Sequence, residues 1–158
     1  YARQMSAELG IEVVAVTDRA AATRASDAVL TCTTARQPFL GLEDVRPGTF
    51  IAAIGADNPE KSEIAPALMA RATVVADMLA QCVTMGDLHH ALAAGVMGEG
   101  DVHGELADLV GGRRPGRTQD NEITIFDSTG TGIQDVAAAA RAYELALAAG
   151  HGEICELA

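Results

Sequence analysis

The fold is decided by residues 49–61, which read TFIAAIGADNPEK. A short apolar run ends at Gly55, and Asp57 follows two residues later. Such a run predicts a buried strand of a parallel sheet, and ligands bind beyond the carboxyl ends of those strands. Asp57 therefore lies where a side chain could contact a ligand or take part in catalysis. The alternative is that Asp57 and Asn58 only cap a turn with Pro59 at its corner.

Short strands and helices alternate on both sides of this segment. Apolar runs predict the strands, one of which contains Cys32 as an expected small core residue. Helically spaced segments lie between them, and the connecting loops are short. The predicted strands are 11–16, 28–33, 49–54, 74–76 and 123–126, and the predicted helices are 20–26, 64–70, 91–95, 106–110 and 133–149. This layout predicts an α/β fold with a Rossmann-like, mostly parallel sheet and flanking helices.

The first unit of a dinucleotide-binding sheet is absent from this pattern. That unit consists of a strand, a Gly-x-Gly-x-x-Gly turn and a helix, and no such turn occurs in the 158 residues. We therefore expect a sheet that lacks its first βα unit.

Composition and charge exclude several classes of function. The chain carries 11 Lys and Arg against 22 Asp and Glu, and its net charge of −11 repels nucleic acid and anionic membrane surfaces. No apolar run approaches the roughly 20 residues of a membrane helix, and no signal peptide is evident. The three cysteines lack disulfide or ligand spacing, and the adjacent His89 and His90 are not spaced to chelate a metal. We expect a cytoplasmic protein that binds no metal, no nucleic acid and no membrane.

Several segments in a fixed order and spacing carry a resemblance to a known family. They are TCTTARQP at 31–38 with RPGT at 46–49, GADNPEKSE at 55–63, PGR at 115–117, ITIFDSTG at 123–130 and the pair Gln134-Asp135. Together they resemble the ornithine cyclodeaminase and μ-crystallin family. The resemblance implies an NAD(P)-dependent enzyme that acts on an amino acid or a cyclic imine, as a cyclodeaminase, an amino-acid dehydrogenase or a ketimine reductase. The alternative is a μ-crystallin-like protein that binds NAD(P) or a small ligand without required turnover.

The resemblance also implies how the chain is divided. It matches the carboxyl-terminal, NAD(P)-binding half of such proteins, so residues 1–132 are expected to form a partial NAD(P)-binding Rossmann domain. Residues 133–158 are expected to form a helix and tail that pack toward a substrate and dimerisation domain. We expect a homodimer for the complete protein and no activity for this chain alone.

Asp57 receives the catalytic role from the resemblance, because the aspartate of the family's Gly-x-Asp-x-Pro-x-Lys loop falls on it. Hydride transfer at an α-carbon passes through an imine, and a carboxylate at a strand end is suited to handle the protons as water or an amine adds and leaves. The alternative remains that Asp57 only caps its turn. Lys61 and Glu63 are expected to fix the loop through an ion pair or to cap a helix.

Two loops are candidates for lining the cofactor. Thr33 and Thr34 end a strand at a point where, in relatives, backbone and hydroxyl groups run beside the nucleotide. The alternative is that these two threonines serve packing or turn formation. Ser128, Thr129 and Gly130 lie between a strand and a helix, where small residues let the backbone approach a flat nicotinamide ring. An ordinary strand-to-helix turn is the alternative for these three.

Arg3 is the residue expected to choose between NAD and NADP. It lies about where the second strand of a dinucleotide-binding unit would end. NAD enzymes place an acid there against the ribose hydroxyls, whereas an arginine pairs with the 2′-phosphate of NADP(H). The sequence thus favours NADP(H), unless Arg3 is a solvated surface residue.

Overall fold

The computed structural model describes residues 1–153 and Cys155, so Ile154 and residues 156–158 of the predicted tail lie outside the described residues. Its main element is a five-stranded sheet in which all neighbouring strands are parallel. The strands are β1 (Ala28–Thr31), β2 (Arg36–Leu40), β3 (Phe50–Ala53), β4 (Ser62–Ile64), β5 (Thr73–Ala76), β6 (Gly104–Glu105) and β7 (Thr124–Asp127). The main sheet has the order β1-β3-β7-β5-β6, and β2 and β4 form a separate parallel pair. The predicted parallel α/β fold is confirmed.

Helices occupy much of the chain between the strands. They are α1 (Ala2–Leu9), α2 (Arg19–Ala25), α3 (Pro66–Arg71), α4 (Leu79–Cys82), α5 (Asp87–Ala93), α6 (Leu106–Val110) and α7 (Gly132–Ala148). The Asp18 carboxylate accepts the amide of Ala21 at 2.9 Å and so caps α2. Pro66 opens α3 at a position where its missing N–H costs nothing. Among the described residues, no helix is both long and apolar enough to cross a membrane.

The core lies on one side of the main sheet. Ile51, Ile125 and Val74 stand side by side in register and are buried against residues of α3 and α5. On the opposite face, Val75 and Phe126 line an apolar cavity of about 400 Å³ that α6 also borders. The helices that follow β4 and β5 therefore cover the face that holds most of the buried apolar side chains.

The strand predicted at 11–16 is wrong. These residues form no strand, and Ile11, Val14 and Val16 are more than half exposed. The backbone N–H of Val13 instead donates to the hydroxyl of Ser6 in α1 at 2.8 Å. A strand requires a hydrogen-bonded neighbour, and no described strand pairs with this segment, so its apolar pattern alone does not produce one.

Two smaller predictions are also wrong. Cys32 is exposed rather than a core residue, because β1 ends at Thr31 and Cys32 already belongs to the loop. Ile64, predicted as the start of a helix, is the last residue of β4 and is fully buried. The pair formed by β2 and β4 was not predicted, since Pro38 in β2 argues against a strand and β4 is only three residues long.

Candidate functional site

Three loops meet at the carboxyl edge of the main sheet. They follow β1, β3 and β7, which are adjacent strands. The Ile54 amide donates to the Thr31 carbonyl at 3.0 Å, and the Ser128 amide donates to the Ala53 carbonyl at 2.9 Å. These bonds continue the ladder past the strand ends and fix the order of the loops. Five of the candidate residues besides Asp57 are thereby brought to one edge: Thr33, Thr34, Ser128, Thr129 and Gly130.

Asp57 occupies the middle loop and has a cationic partner. Its Oδ1 lies 2.7 Å from Nζ of Lys61, so the predicted ion pair for Lys61 is present. The Nδ2 of Asn58 also donates to Asp57 at 3.2 Å. Mainly because Lys61 donates to it, the pKa of the Asp57 carboxyl lies below its ordinary value. The side chain is about half exposed, so at neutral pH this is an accessible, ionised carboxylate.

Glu63 holds the Asp57 loop to the neighbouring loop. Its side chain is fully buried, and its carboxylate accepts the amide of Thr33 at 2.6 Å and that of Gly55 at 3.1 Å. We expected an ion pair or a helix cap for this residue. The structure shows backbone bonds to two strand-end loops instead.

Asp77 anchors the third loop from the end of β5. One carboxylate oxygen of Asp77 accepts the hydroxyl of Ser128 at 2.8 Å and the amides of Thr129 and Gly130, each at 3.0 Å. Ser128 and Thr129 are buried, whereas Gly130 is exposed with φ near 80°. The amides of Thr129 and Gly130 are therefore already bonded to Asp77 and are not available to an anionic ligand.

Two further buried carboxylates lie under these loops. Asp127, the last residue of β7, accepts the amides of Asp87 and Leu88 at the start of α5, at 3.3 and 2.9 Å. Asp87 in turn accepts the amides of Glu63 and Ile64 at 2.7 and 2.9 Å. Burial raises the pKa of Asp127 to about 7 and also raises that of Asp87. These two carboxylates tie α5 to both β7 and β4.

The two adjacent histidines have structural contacts. A ring nitrogen of His90 lies 2.7 Å from the carbonyl oxygen of Lys61, and one of His89 lies 3.3 Å from that of Val83. Because a carbonyl only accepts, Nε2 of His90 carries the proton and donates it. His90 therefore fixes the far end of the Asp57 loop. Within the part of the chain that the structure describes, no group of acidic, histidine or cysteine side chains is arranged to hold a metal.

Arg3 is the one candidate that the structure does not bring to the site. It lies in the first turn of α1 and is exposed, not at the end of a strand. It forms no ion pair among the described residues. The expected strand end is replaced by helix from Ala2 onward.

Sequence reasoning missed three of the residues that hold these loops in place, Asp77, Asp87 and Asp127, and expected an ion pair or a helix cap for Glu63. A signal was present for two of them. Asp77 and Asp127 each stand at the end of an apolar run, where a carboxylate meets the amides of the next loop or helix. Thr33 lies 30 residues from Glu63, and the amides that Asp87 accepts lie more than 20 residues from it, so no local pattern indicates these bonds.

The fold and the site define a class. A parallel α/β sheet with loops at the carboxyl ends of its strands is the architecture of the Rossmann-like folds, which bind their ligands at that edge. The sequence model of the ornithine cyclodeaminase/mu-crystallin family matches residues 1–150. The chain belongs to this family, as its motifs predicted.

Individual relatives agree with that assignment. Iminosuccinate reductase of Paracoccus denitrificans is 46% identical over 142 residues, which cover 89% of this chain and 43% of that protein. An archaeal alanine dehydrogenase, solved as a dimer with bound NAD, matches with a TM-score of 0.88 and 39% identity over 98% of this chain and 48% of that one. The Delta(1)-pyrroline-2-carboxylate reductase of Thermococcus litoralis, solved with NADH and L-proline, matches with a TM-score of 0.90 and 34% sequence identity. This match covers 98% of the present chain and 48% of that one. The chain spans about half the length of the curated relatives it matches.

Proposed function

We propose that the complete protein is an NAD(P)-dependent enzyme that acts on the carbon–nitrogen bond of an amino acid or a cyclic imine. The observation that carries this proposal is the position of Asp57, an ionised and accessible carboxylate in the loop between two small-residue loops. The relatives support the chemistry, because they are named as reductases of imino acids and a dehydrogenase of alanine. Three of the matched structures contain NAD, NAD+ or NADH.

The loop of Ser128, Thr129 and Gly130 fits the nicotinamide end of the cofactor. Apart from Gly130 and its two chain neighbours, no residue has an atom within 4 Å of the place where a side chain on Gly130 would begin, so a flat ring has room to approach the backbone. Since Asp77 already accepts the amides of Thr129 and Gly130, the loop suits a nicotinamide ring better than an anionic phosphate. Thr33 and Thr34 are exposed on the other side of the Asp57 loop and are proposed to contact the nucleotide.

Asp57 is proposed to move protons during the reaction. When bound, NAD(P) supplies or removes the hydride at the α-carbon of the substrate. The carboxylate accepts a proton from the water or amine that adds to the imine carbon, and it donates that proton to the original amino group, which leaves as ammonia. Lys61 keeps the carboxylate ionised between these steps, because it lowers the pKa of Asp57.

The complete protein is further proposed to prefer NADP(H), to act as a homodimer and to reside in the cytoplasm. Arg3 supports the cofactor preference, because an exposed guanidinium at the start of α1 offers parallel donors to a 2′-phosphate. Every residue of α7 is outside the core, which supports packing against a further domain or subunit. The thiols of Cys32 and Cys82 are unpaired, as is usual in a reducing compartment. The net charge of −11 favours a small molecule as the partner over nucleic acid or a membrane.

A substrate panel tests the proposal. The protein, expressed from its complete coding sequence, is supplied with amino acids plus NAD+ or NADP+, and with cyclic imines or imino acids plus NADH or NADPH. A dehydrogenase or reductase changes the redox state of the cofactor, whereas a cyclodeaminase releases ammonia without net cofactor change. We expect one of these activities. A folded protein that binds NAD(P) and shows neither would favour the μ-crystallin-like alternative.

A further inference from the structure

Glu63 contacts both of the loops that the proposed function uses for the nucleotide and for proton transfer. We propose that Glu63 is a positioning residue that holds the loop after β1 and the loop after β3 in one fixed arrangement. The inference rests on the proposed function, in which the first loop carries Thr33 and Thr34 and the second carries Asp57.

Each oxygen of the Glu63 carboxylate serves a different loop. Oε1 accepts the amide of Thr33 at 2.6 Å, and Oε2 accepts the amide of Gly55 at 3.1 Å. The backbone of Glu63 is itself fixed, because its amide donates to Asp87 at 2.7 Å. One rigid carboxylate thus sets the distance between the ends of two neighbouring strands.

The close contact at Gly55 is independent support for this arrangement. A Cβ atom placed on Gly55 would collide with the carboxylate of Glu63. The backbone of Gly55 does not have the positive φ that favours glycine, so the approach of the carboxylate is the reason for a residue without a side chain. The glycine of the Asp57 loop is therefore matched to Glu63.

The partners of Glu63 are backbone amides rather than a cation. Among the described residues it forms no ion pair, and its side chain is fully shielded from solvent. If the carboxylate is removed, two amides near the strand ends lose their acceptor, and each loop must shift or rotate to find another. The expected consequence is altered geometry in both loops at once.

Two variants of the complete protein test the inference. Glu63→Gln keeps the length of the side chain, but its NH2 group faces one of the two amide donors and cannot accept from it. Gly55→Ala keeps the Glu63 carboxylate, but the added methyl group collides with it and pushes it out of position. In each variant we expect weaker NADPH binding together with lower kcat, with each change on the order of ten- to a hundred-fold because reacting groups are misplaced. Amide hydrogen exchange should become faster in residues 32–35 and in residues 54–57.

Asp44→Asn is the matched control. Asp44 is also a buried carboxylate that accepts a backbone amide, from Gly41 at 2.9 Å, but it precedes β3 and lies outside the three loops. A loss of stability alone reduces the fraction of folded enzyme and leaves the NADPH dissociation constant of the folded protein unchanged. We expect this behaviour for Asp44→Asn, with no faster exchange in either loop.

The outcomes separate the inference from the proposed function. Faster exchange in both loops with a joint loss of NADPH affinity and kcat supports the role of Glu63. Exchange that changes in one loop or in neither, or kinetics that match Asp44→Asn, overturns it. If the unaltered protein binds neither NADPH nor NADH, the proposed function fails, and the exchange data alone then decide whether Glu63 couples the two loops.

Discussion

Asp57 and Lys61 form the ion pair on which the proposed proton transfer depends. The ammonium group of Lys61 lies 2.7 Å from the carboxylate, which keeps Asp57 ionised well below neutral pH. Asp57→Asn retains the size of the side chain and one acceptor but removes the group that exchanges a proton. We expect turnover of the complete enzyme to fall by about a hundred- to ten-thousand-fold, while cofactor affinity barely changes. Steady-state kinetics and cofactor titration measure the two quantities.

The alternative for Asp57 gives the opposite pattern. Asparagine is nearly as good as aspartate in a turn, so a residue that only caps the turn would lose about 1 kcal/mol of stability or less on substitution. A stable Asp57→Asn protein with unchanged turnover would reduce Asp57 to this structural role.

Arg3 carries the prediction on cofactor choice. Its guanidinium can donate two parallel hydrogen bonds to a 2′-phosphate but gains little from a ribose hydroxyl. We expect the complete protein to bind NADPH more tightly than NADH, and Arg3→Asp to reverse that order by about ten-fold or more on the scale of a charge-assisted hydrogen bond. Calorimetric titration with both cofactors measures the change. Equal affinities before and after the substitution would exclude Arg3 from cofactor choice.

At the level of single residues, sequence reasoning succeeded where the decisive partner is near in the chain. An ion pair of Lys61 was expected within the loop, and the structure shows it with Asp57, four residues away. Cys32 failed because the end of β1 depends on its pairing with β3, which the local apolar pattern does not contain. The hydrogen bonds of Glu63 were not predicted either, because its two carboxylate oxygens accept amides from two different loops that only the folded sheet brings together.

Helix α5 is the element whose attachment should depend on pH. Asp127 receives amides of the first turn of this helix, and its burial raises its pKa to about 7. An unfolded aspartate has a pKa near 3.9, so between about pH 4 and pH 7 the folded state binds more protons than the unfolded state. The contribution of Asp127 to the free energy of unfolding therefore decreases as pH rises through this window.

Asp127→Asn should remove this contribution. Between about pH 4 and pH 7, we expect the free energy of unfolding to fall less in Asp127→Asn than in the unaltered protein, by an amount on the order of a few kcal/mol. Urea unfolding at several pH values measures it, with Asp120→Asn as a control that removes one exposed carboxylate. The same slope in the unaltered protein and in Asp127→Asn would contradict a raised pKa for Asp127.

Element prediction was reliable where the apolar runs belong to paired strands. The runs at β3, β5 and β7 are correct to within about one residue at each end, because these strands lie together in the centre of the sheet. The run at 11–16 has a similar pattern but no neighbouring strand among the described residues, and it forms none. Pairing is a property of the whole sheet, so a single-segment pattern cannot supply it.

The whole molecule followed from the alternation of its elements. Strands separated by helices require crossover connections, and such connections produce parallel strands whose carboxyl ends share one edge. The structure follows this rule, because the loops of Thr33, Asp57 and Ser128 lie at one edge after the adjacent strands β1, β3 and β7. The buried carboxylates beneath them depend on tertiary contacts and could not be predicted in this way.

Cofactor affinity is expected to depend on more than this chain. The 158 residues contain no Gly-x-Gly-x-x-Gly turn, which would supply amides to the pyrophosphate, and the amides of Thr129 and Gly130 are bonded to Asp77. We expect residues 1–158 alone to bind NAD(P)H at least about ten- to a hundred-fold more weakly than the complete protein. Calorimetry on both proteins makes the comparison. Equal, tight binding by the two would show that no further phosphate-binding segment is needed.

The proposed function requires the complete protein to transfer hydride between NAD(P)H and the α-carbon of an imino or amino acid. The most direct measurement uses NADPH and NADH deuterated, in each stereochemical form, at the nicotinamide carbon that donates the hydride. The complete protein is incubated with a cyclic imine or an imino acid, and the amino-acid product is analysed by mass spectrometry. We predict that one stereochemical form delivers its deuterium to the α-carbon of the product. The hydride transfer would be contradicted if the protein binds the cofactor but neither stereochemical form of it delivers deuterium to any of these substrates.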